Sequence, residues 1–243
     1  MRQLSDSQLA SFDTEYVDAD RWQLVKGNID RDFPDGKFRF LDLGGGTGRF
    51  ADLLLANYPL AEGSVFDNSE LLLARNKPDP RKRLICDSAE HLGNIDERFD
   101  LISVHWLLHH LVGDSYAQTT GNQRAVLGGL AGLLTARGRI SLFENNYQGL
   151  VLSALPGWLI YVATSMRSLA ALTRRLGANT AGVGVCFRSE QQWRAMIAAT
   201  GFKIVEYGEP DRWVWPLRWY WRVFLFLRRI RVGHYWLAPA RSH

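Results

Sequence analysis

The decapeptide LDLGGGTGRF, residues 41–50, limits more narrowly than any other segment how this 243-residue chain can fold. Phe38, Phe40, Leu41 and Leu43 form a short apolar run of the kind that fills a buried parallel strand. Phe50, Leu53 and Leu54 then recur at helical spacing until Tyr58 and Pro59 interrupt the pattern. A strand must therefore turn through Gly44, Gly45, Gly46 and Gly48 into a helix. Glycine lets the backbone lie against a ligand with no Cβ in the way, and the helix start offers N–H groups to an anionic moiety. A nucleotide-like cofactor suits such a turn.

Spacing narrows the choice. The dinucleotide fingerprint G-x-G-x-x-G, begun at Gly44 and Gly46, needs glycine at position 49, where Arg49 stands. That argues against NAD. Asp42 before the turn, and Asp67 closing the apolar run from Gly63 to Phe66, suit a cofactor with a single ribose. These features resemble the class I S-adenosylmethionine-dependent methyltransferases. The resemblance implies that Asp42 and the loop Gly44, Gly45, Gly46 and Gly48 hold the methionine end of S-adenosylmethionine. It likewise gives the ribose hydroxyls to Asp67 with Asn68, and the adenine amine to Asp87 with Ser88 in the stretch LICDSAEHL.

The resemblance runs on toward the C-terminus. FDLISVHWLLHHL, residues 99–111, looks like the family's fourth strand and the segment after it. Val126, Leu127, Leu130, Leu133 and Leu134 share one face of a helix predicted over 122–134, with Gly138 as its stop. RISLFEN, residues 139–145, is the fifth strand, and Ser189 with Gln192 has capping-box spacing for a helix ending near Thr200 and Gly201. Residues 202–207 and 234–238 supply the last two strands, antiparallel in this family. The fold implied is one α/β domain over 1–243: a doubly wound, mostly parallel sheet of about seven strands with the last antiparallel.

Composition agrees with this reading. The length suffices for one domain with a sizeable core. Cys86 and Cys186 make neither a disulfide framework nor a zinc site, so both are expected as packed thiols, with no metal bound. Polar Ser5, Asp6 and Ser7 follow Met1 closely, so no signal peptide is expected and a cytoplasmic setting follows. The net charge of +4 conceals an asymmetry: from Arg212 onward there are seven arginines and no acid, leaving the first 211 residues at −3. In that segment Trp213, Trp215, Trp219 and Trp221 lie among Arg212, Arg218 and Arg222, ahead of VFLFLRRIR. Within an insertion over 208–232 between the last two strands, a helix over 217–231 would align Arg218, Arg222 and Arg229 opposite Tyr220, Phe224 and Leu227. Two readings stay open: a helix packed on the sheet with snorkelling arginines, or an interfacial helix peripheral to the inner face of a membrane. Nucleic acid is not the expected partner, because these basic residues are embedded among bulky aliphatics.

Residues 145–166 carry no charge, yet Pro156 and Gly157 interrupt them and Ser153, Thr164 and Ser165 dilute them, so no transmembrane span is expected. An insertion after the fifth strand commonly covers the acceptor in class I methyltransferases. Residues 147–187 would then be a helical lid, with Trp158, Tyr161 and Met166 facing an apolar or aromatic substrate and Gly177, Gly182 and Gly184 allowing a hinge. A helix pair that simply completes the core is the alternative.

Three histidines, His105, His109 and His110, crowd the end of the fourth strand, and histidine accepts a proton near neutral pH with little tuning. In the similar phosphoethanolamine methyltransferases a histidine of this motif contacts the acceptor; the matching residue is His110, while Trp106 replaces a polar neighbour and speaks against a phospho-base substrate. His105 lines adenine or acceptor, and Glu144 and Tyr147 at the end of the fifth strand are further candidates. Tyr16, Arg21 and Trp22 precede the first strand where the family closes over its cofactor, whereas His91, Arg81, Lys82 and Arg83 read as solvated. The expected function is methyl transfer to oxygen or carbon of a small aromatic or lipid-like acceptor. The alternatives are a cofactor-fold binding protein docked through its Trp/Arg segment, and non-methyl chemistry such as cyclisation.

Overall fold

The computed structural model describes residues 1–2, 18–210 and 219–240. Tyr16, Arg212, Trp213, Trp215 and Arg218 lie outside the described residues. Seven strands form one sheet: β1 Arg39–Leu43, β2 Glu62–Asp67, β3 Lys82–Cys86, β4 Phe99–His105, β5 Leu134–Gly149, β6 Phe202–Gly208 and β7 Leu227–Pro239. Their order is β3-β2-β1-β4-β5-β7-β6. β1 to β5 run parallel, and β7 is antiparallel to both β5 and β6, so it alone reverses direction.

Helices cover both faces because alternate strand residues are apolar on both sides. On one face Leu41, Leu43, Ile102, Val104, Ile140 and Leu142 pack with residues of α4 (Tyr116–Gly129) and α7 (Glu190–Ala199). On the other, Phe40, Val65, Leu101 and Phe143 meet α1 (Ala19–Asp32) and α2 (Arg49–Asn57). Between β2 and β3 lies the single turn α3 (Glu70–Leu73), and after β5 come α5 (Leu155–Ser165) and α6 (Ala170–Arg175). Local chemistry sets the ends: the Asp18 carboxylate accepts the Arg21 amide at the start of α1, and Ser189 with Gln192 completes the expected capping box of α7.

Several boundaries differ from the sequence reading. The helix expected over 122–134 begins six residues earlier, at Tyr116, where Ser115 caps it, and passes into a 3-10 turn at Leu130–Leu133. The helix expected to run to residue 231 stops after α8 (Trp219–Phe224), and Leu227 already opens β7. Pairing overrides helical spacing here, since Ile230, Arg229 and Leu227 sit opposite Tyr147, Gln148 and Gly149 of β5. Cys186 is buried as expected, but Cys86 is exposed, because β3 is the edge strand and only partly covered. Lys82 is not solvated either: its side chain is 1% exposed and its ammonium binds the Asp52 carboxylate of α2. Arg81 turns back to the carbonyls of Leu55, Tyr58 and Pro59. Among the described residues no helix is long and apolar enough to cross a membrane, and no cluster of histidine, cysteine and carboxylates could hold a metal ion.

Candidate active site

The glycine turn leaves β1 over its parallel neighbours. The amides of Gly44 and Gly45 both donate to the Phe66 carbonyl of β2, at 2.7 and 3.3 Å. Gly44, Gly46 and Gly48 take φ of +73°, +51° and +72°, the left-handed region that penalises any Cβ. Gly45 is required for a different reason: a Cβ there would stand 2.5 Å from Asp42 Oδ2. The turn is thus pressed against what lies beneath it, and its upper side is bare backbone at the start of α2. Gly48 occupies the N-cap and offers no side-chain cap.

The carboxylates divide into support and rim. Asp42 is buried under the turn, where Ser103 Oγ of β4 donates to its Oδ1 at 2.7 Å. Burial pushes its pKa up to about 6, against the pull of Ser103, with the nearby charge of Asp67 adding to the rise. Asp67 accepts the Gly46 amide on Oδ2 at 3.0 Å and the Ser69 amide on Oδ1 at 2.9 Å, tying the end of β2 to the glycine turn. Burial raises its pKa, and the backbone amides it accepts oppose that rise. Asp87 lies at the exposed end of β3, where its Oδ1 accepts the Ser88 amide at 2.7 Å and lies 2.7 Å from His91 Nδ1; the histidine bond holds its carboxyl below the usual range. Asn68 and Ser88 follow directly on these two acids. Asn76, absent from the sequence reading, donates to the Gly46 carbonyl at 2.9 Å and to the Leu73 carbonyl at 3.1 Å, so the segment following α3 braces the turn from the side.

Across the sheet, β4 hands over to a 3-10 turn, Leu108–His110, at the edge where β5 continues upward. Glu144 of β5 is completely buried, and its two oxygens fix that turn: Oε1 accepts the Leu108 amide at 2.9 Å and Oε2 lies 2.7 Å from His109 Nδ1. The carboxylate therefore belongs to His109 and not to His110. Nothing in the local sequence signals this, because Glu144 lies 35 residues away and arrives only through the β4–β5 register, in which His105 faces Phe143. His109 packs on His110 at 4.2 Å and on Phe187 at 4.8 Å, and Phe187 stacks on Tyr147 at 4.3 Å. Burial, with the His109 charge adding to it, holds the His110 imidazole well below its ordinary pKa. His105 faces elsewhere: its ring lies 4.4 Å from Phe50, at the start of α2, and its Nε2 lies 3.0 Å from Ser141 Oγ, which in turn lies 3.0 Å from His234 Nε2. Burial keeps both of these histidines neutral.

Trp106, between the two sites, has φ of +53°, a conformation that a bulky residue holds only when its surroundings over-determine it. Its indole donates to Asn145 Oδ1 at 3.2 Å and stacks on Phe143 at 5.1 Å, and the Arg21 guanidinium covers it at 5.1 Å. Of the lid residues named from sequence, Tyr161 is buried against Tyr116, whereas Trp158 and Met166 are 44% and 45% exposed. The segment 177–187 returns the chain to His109, whose carbonyl accepts the Cys186 amide at 2.9 Å. This return is what brings in Phe187, a residue the sequence reading did not single out.

Residues 40–128 match the profile of a family described as a methyltransferase domain. Among solved structures, the fold aligns with CalO1, a methyltransferase in calicheamicin biosynthesis in its SAH-bound form, at 16% identity and a TM-score of 0.52, over 90% of this chain and 56% of that one. It aligns with the mitomycin 7-O-methyltransferase MmcR at 16% identity and a TM-score of 0.54, over 84% and 50%. A complex of LepI with SAM aligns at 13% identity and a TM-score of 0.56, over 88% and 46%. The chain spans about half the length of these structures. A sequence search of the curated proteins finds no match. The chain thus shares its Rossmann-like fold with these structures, and residues 40–128 are similar to a methyltransferase domain.

Proposed function

We propose that the protein transfers the methyl group of S-adenosylmethionine to a small aromatic or lipid-like acceptor, with His109 as the base when the acceptor atom is oxygen. The observation that carries this reading is the buried pair His109 Nδ1–Glu144 Oε2 at 2.7 Å, on the same sheet edge as the glycine turn. The turn suits the cofactor: a Cβ at Gly45 or Gly48 would strike Asp42 Oδ2 at 2.5 Å or Asn76 Oδ1 at 1.7 Å, so the bare backbone there is built into the packing. Gly44 to Gly48 would hold the methionine end, Asp67 with Asn68 the ribose, and Asp87 with Ser88 the adenine. The bound cofactor supplies an electrophilic methyl on a sulfonium sulfur. That CalO1 is a methyltransferase with SAH bound, and MmcR an O-methyltransferase, supports the same assignment.

The chain's own residues then have defined tasks. The Glu144 carboxylate fixes the His109 tautomer with the proton on Nδ1, which leaves the Nε2 lone pair as acceptor. As the acceptor oxygen gains the methyl, its proton passes to Nε2, and the resulting imidazolium is stabilised by the buried carboxylate. Phe187 and Tyr147 supply an apolar wall that excludes water and suits an aromatic or lipid-like acceptor.

The test incubates purified protein with methyl-labelled S-adenosylmethionine and a panel of hydroxylated aromatic and long-chain compounds. A labelled product from the wild type, and none from His109→Ala at unchanged affinity for the demethylated cofactor, is expected. Cofactor binding without a labelled product from any acceptor or cell extract would favour the binding-protein alternative.

A further inference from the structure

Large apolar side chains left in water gather at one end of the β5–β7 ribbon. β5 ends at Gly149 opposite Leu227, and the Leu150 amide donates to the Phe226 carbonyl at 2.8 Å, so the turn after β5 lies beside the chain joining α8 to β7. From the first segment Leu150, Val151 and Leu152 are 68%, 81% and 63% exposed. From the second, Trp219, Phe224 and Phe226 are 75%, 66% and 54% exposed. These rings sit on a fixed base, since Leu225 and Leu227 beneath them are buried with Tyr147. Phe226 holds its place with φ of +49°, which points to a built tip.

Charge selects the occupant. Arg222 and Arg228 are exposed around the tip, as is Arg229, whose guanidinium lies 3.8 Å from Glu190 Oε2, within a sequence segment that holds seven arginines and no acid from residue 212 onward. A second copy of the chain, joined through a symmetric patch, would set these arginines against their own counterparts. An anionic bilayer provides both an apolar layer for the rings and negative charge for the guanidinium groups. We propose that this tip docks the protein on the surface of an anionic lipid bilayer, with Val151, Leu152 and Phe224 entering the headgroup boundary and Arg222, Arg228 and Arg229 on lipid phosphates. Glu144 lies five residues up β5 from Gly149, roughly 17 Å of extended strand. Docking thus holds the His109 site close to the membrane surface.

Co-sedimentation of the full chain with vesicles of mixed phosphatidylglycerol and phosphatidylcholine, against phosphatidylcholine alone, tests this. The protein is expected to pellet with the anionic vesicles, and raising salt from about 0.05 M to about 0.5 M should weaken binding without abolishing it. Replacing Val151, Leu152 and Phe224 by serine should remove the salt-resistant fraction, and Arg228→Gln with Arg229→Gln the salt-sensitive one. Circular dichroism and affinity for the demethylated cofactor should stay unchanged in both, so that a failure of docking is distinguishable from a failure of the methyltransferase reading. Should the triple variant not fold, Val151→Asp, at a side chain 81% exposed, should still weaken binding about tenfold. Absence of anionic-vesicle binding at low salt, wild-type binding by Val151→Asp or by a folded triple variant, or a dimer that buries this patch and leaves vesicles unbound would overturn the proposal.

Discussion

His109 and His110 are neighbours with different surroundings, and the difference makes them separable by mutation. His109 has a fully buried carboxylate at 2.7 Å on one ring nitrogen. His110 is held neutral by burial and by its neighbour. His109→Ala should therefore lower turnover by about a hundredfold or more with cofactor affinity near wild type, and Glu144→Gln should lower it less. His110→Ala should cost mainly stability. Steady-state kinetics across pH with calorimetric titration of the demethylated cofactor checks this ordering, and the reverse ordering would return the base to His110. Asp42 makes a second separable case. Its folded pKa of about 6 lies above the ordinary carboxylate value, so between pH 4 and 6 this one group binds more proton in the folded state than in the unfolded, and its own contribution to stability falls as pH rises through that window. Asp42→Asn should abolish this slope, so that its stability relative to wild type shifts by about 3 kcal/mol between pH 4 and 7 in urea titrations. An unchanged slope would mean that Asp42 is solvated.

The turn between β1 and α2 depends on glycine for reasons that differ from one position to the next. Gly48→Ala places a Cβ 1.7 Å from Asn76 Oδ1 at φ +72°, so it should cost about 1–3 kcal/mol and weaken cofactor binding, since displaced Asn76 releases the Gly46 carbonyl. Gly121→Ala, in the exposed middle of α4 with open space around its Cβ, should instead stabilise by roughly 0.5–1 kcal/mol, and thermal melts compare the two directly. The strand, turn and helix here were legible in sequence because each follows a local rule: an apolar run, glycine spacing and helical periodicity. The same holds for the Ser189 capping box. What was illegible depends on partners far along the chain. Arg229 looks like part of a helix stripe with Arg218 and Arg222 until β5 pairs with it. Lys82 looks solvated until Asp52 of α2 meets it, and Glu144 cannot be assigned to His109 before the β4–β5 register is known.

For the molecule as a whole, charge and titration give two opposite tendencies. His105, His110 and His234 all have folded pKa values depressed by burial, His234 to about 3. The stability they hold is complete above the unfolded value near 6.5 and is lost as pH falls, because only the unfolded state takes up protons there. Acid should therefore destabilise the protein from about pH 6.5 downward, with Asp42 opposing part of the loss below pH 6; a melting temperature that rises on acidification would contradict this. The cofactor assignment, on which the proposed chemistry stands, is most directly decided by calorimetry on the full chain with the demethylated cofactor and with NAD in parallel. The glycine spacing and the acids at Asp67 and Asp87 lead to a dissociation constant for S-adenosylhomocysteine on the order of micromolar and no measurable NAD binding. Tight binding of NAD with no heat from S-adenosylhomocysteine would contradict it.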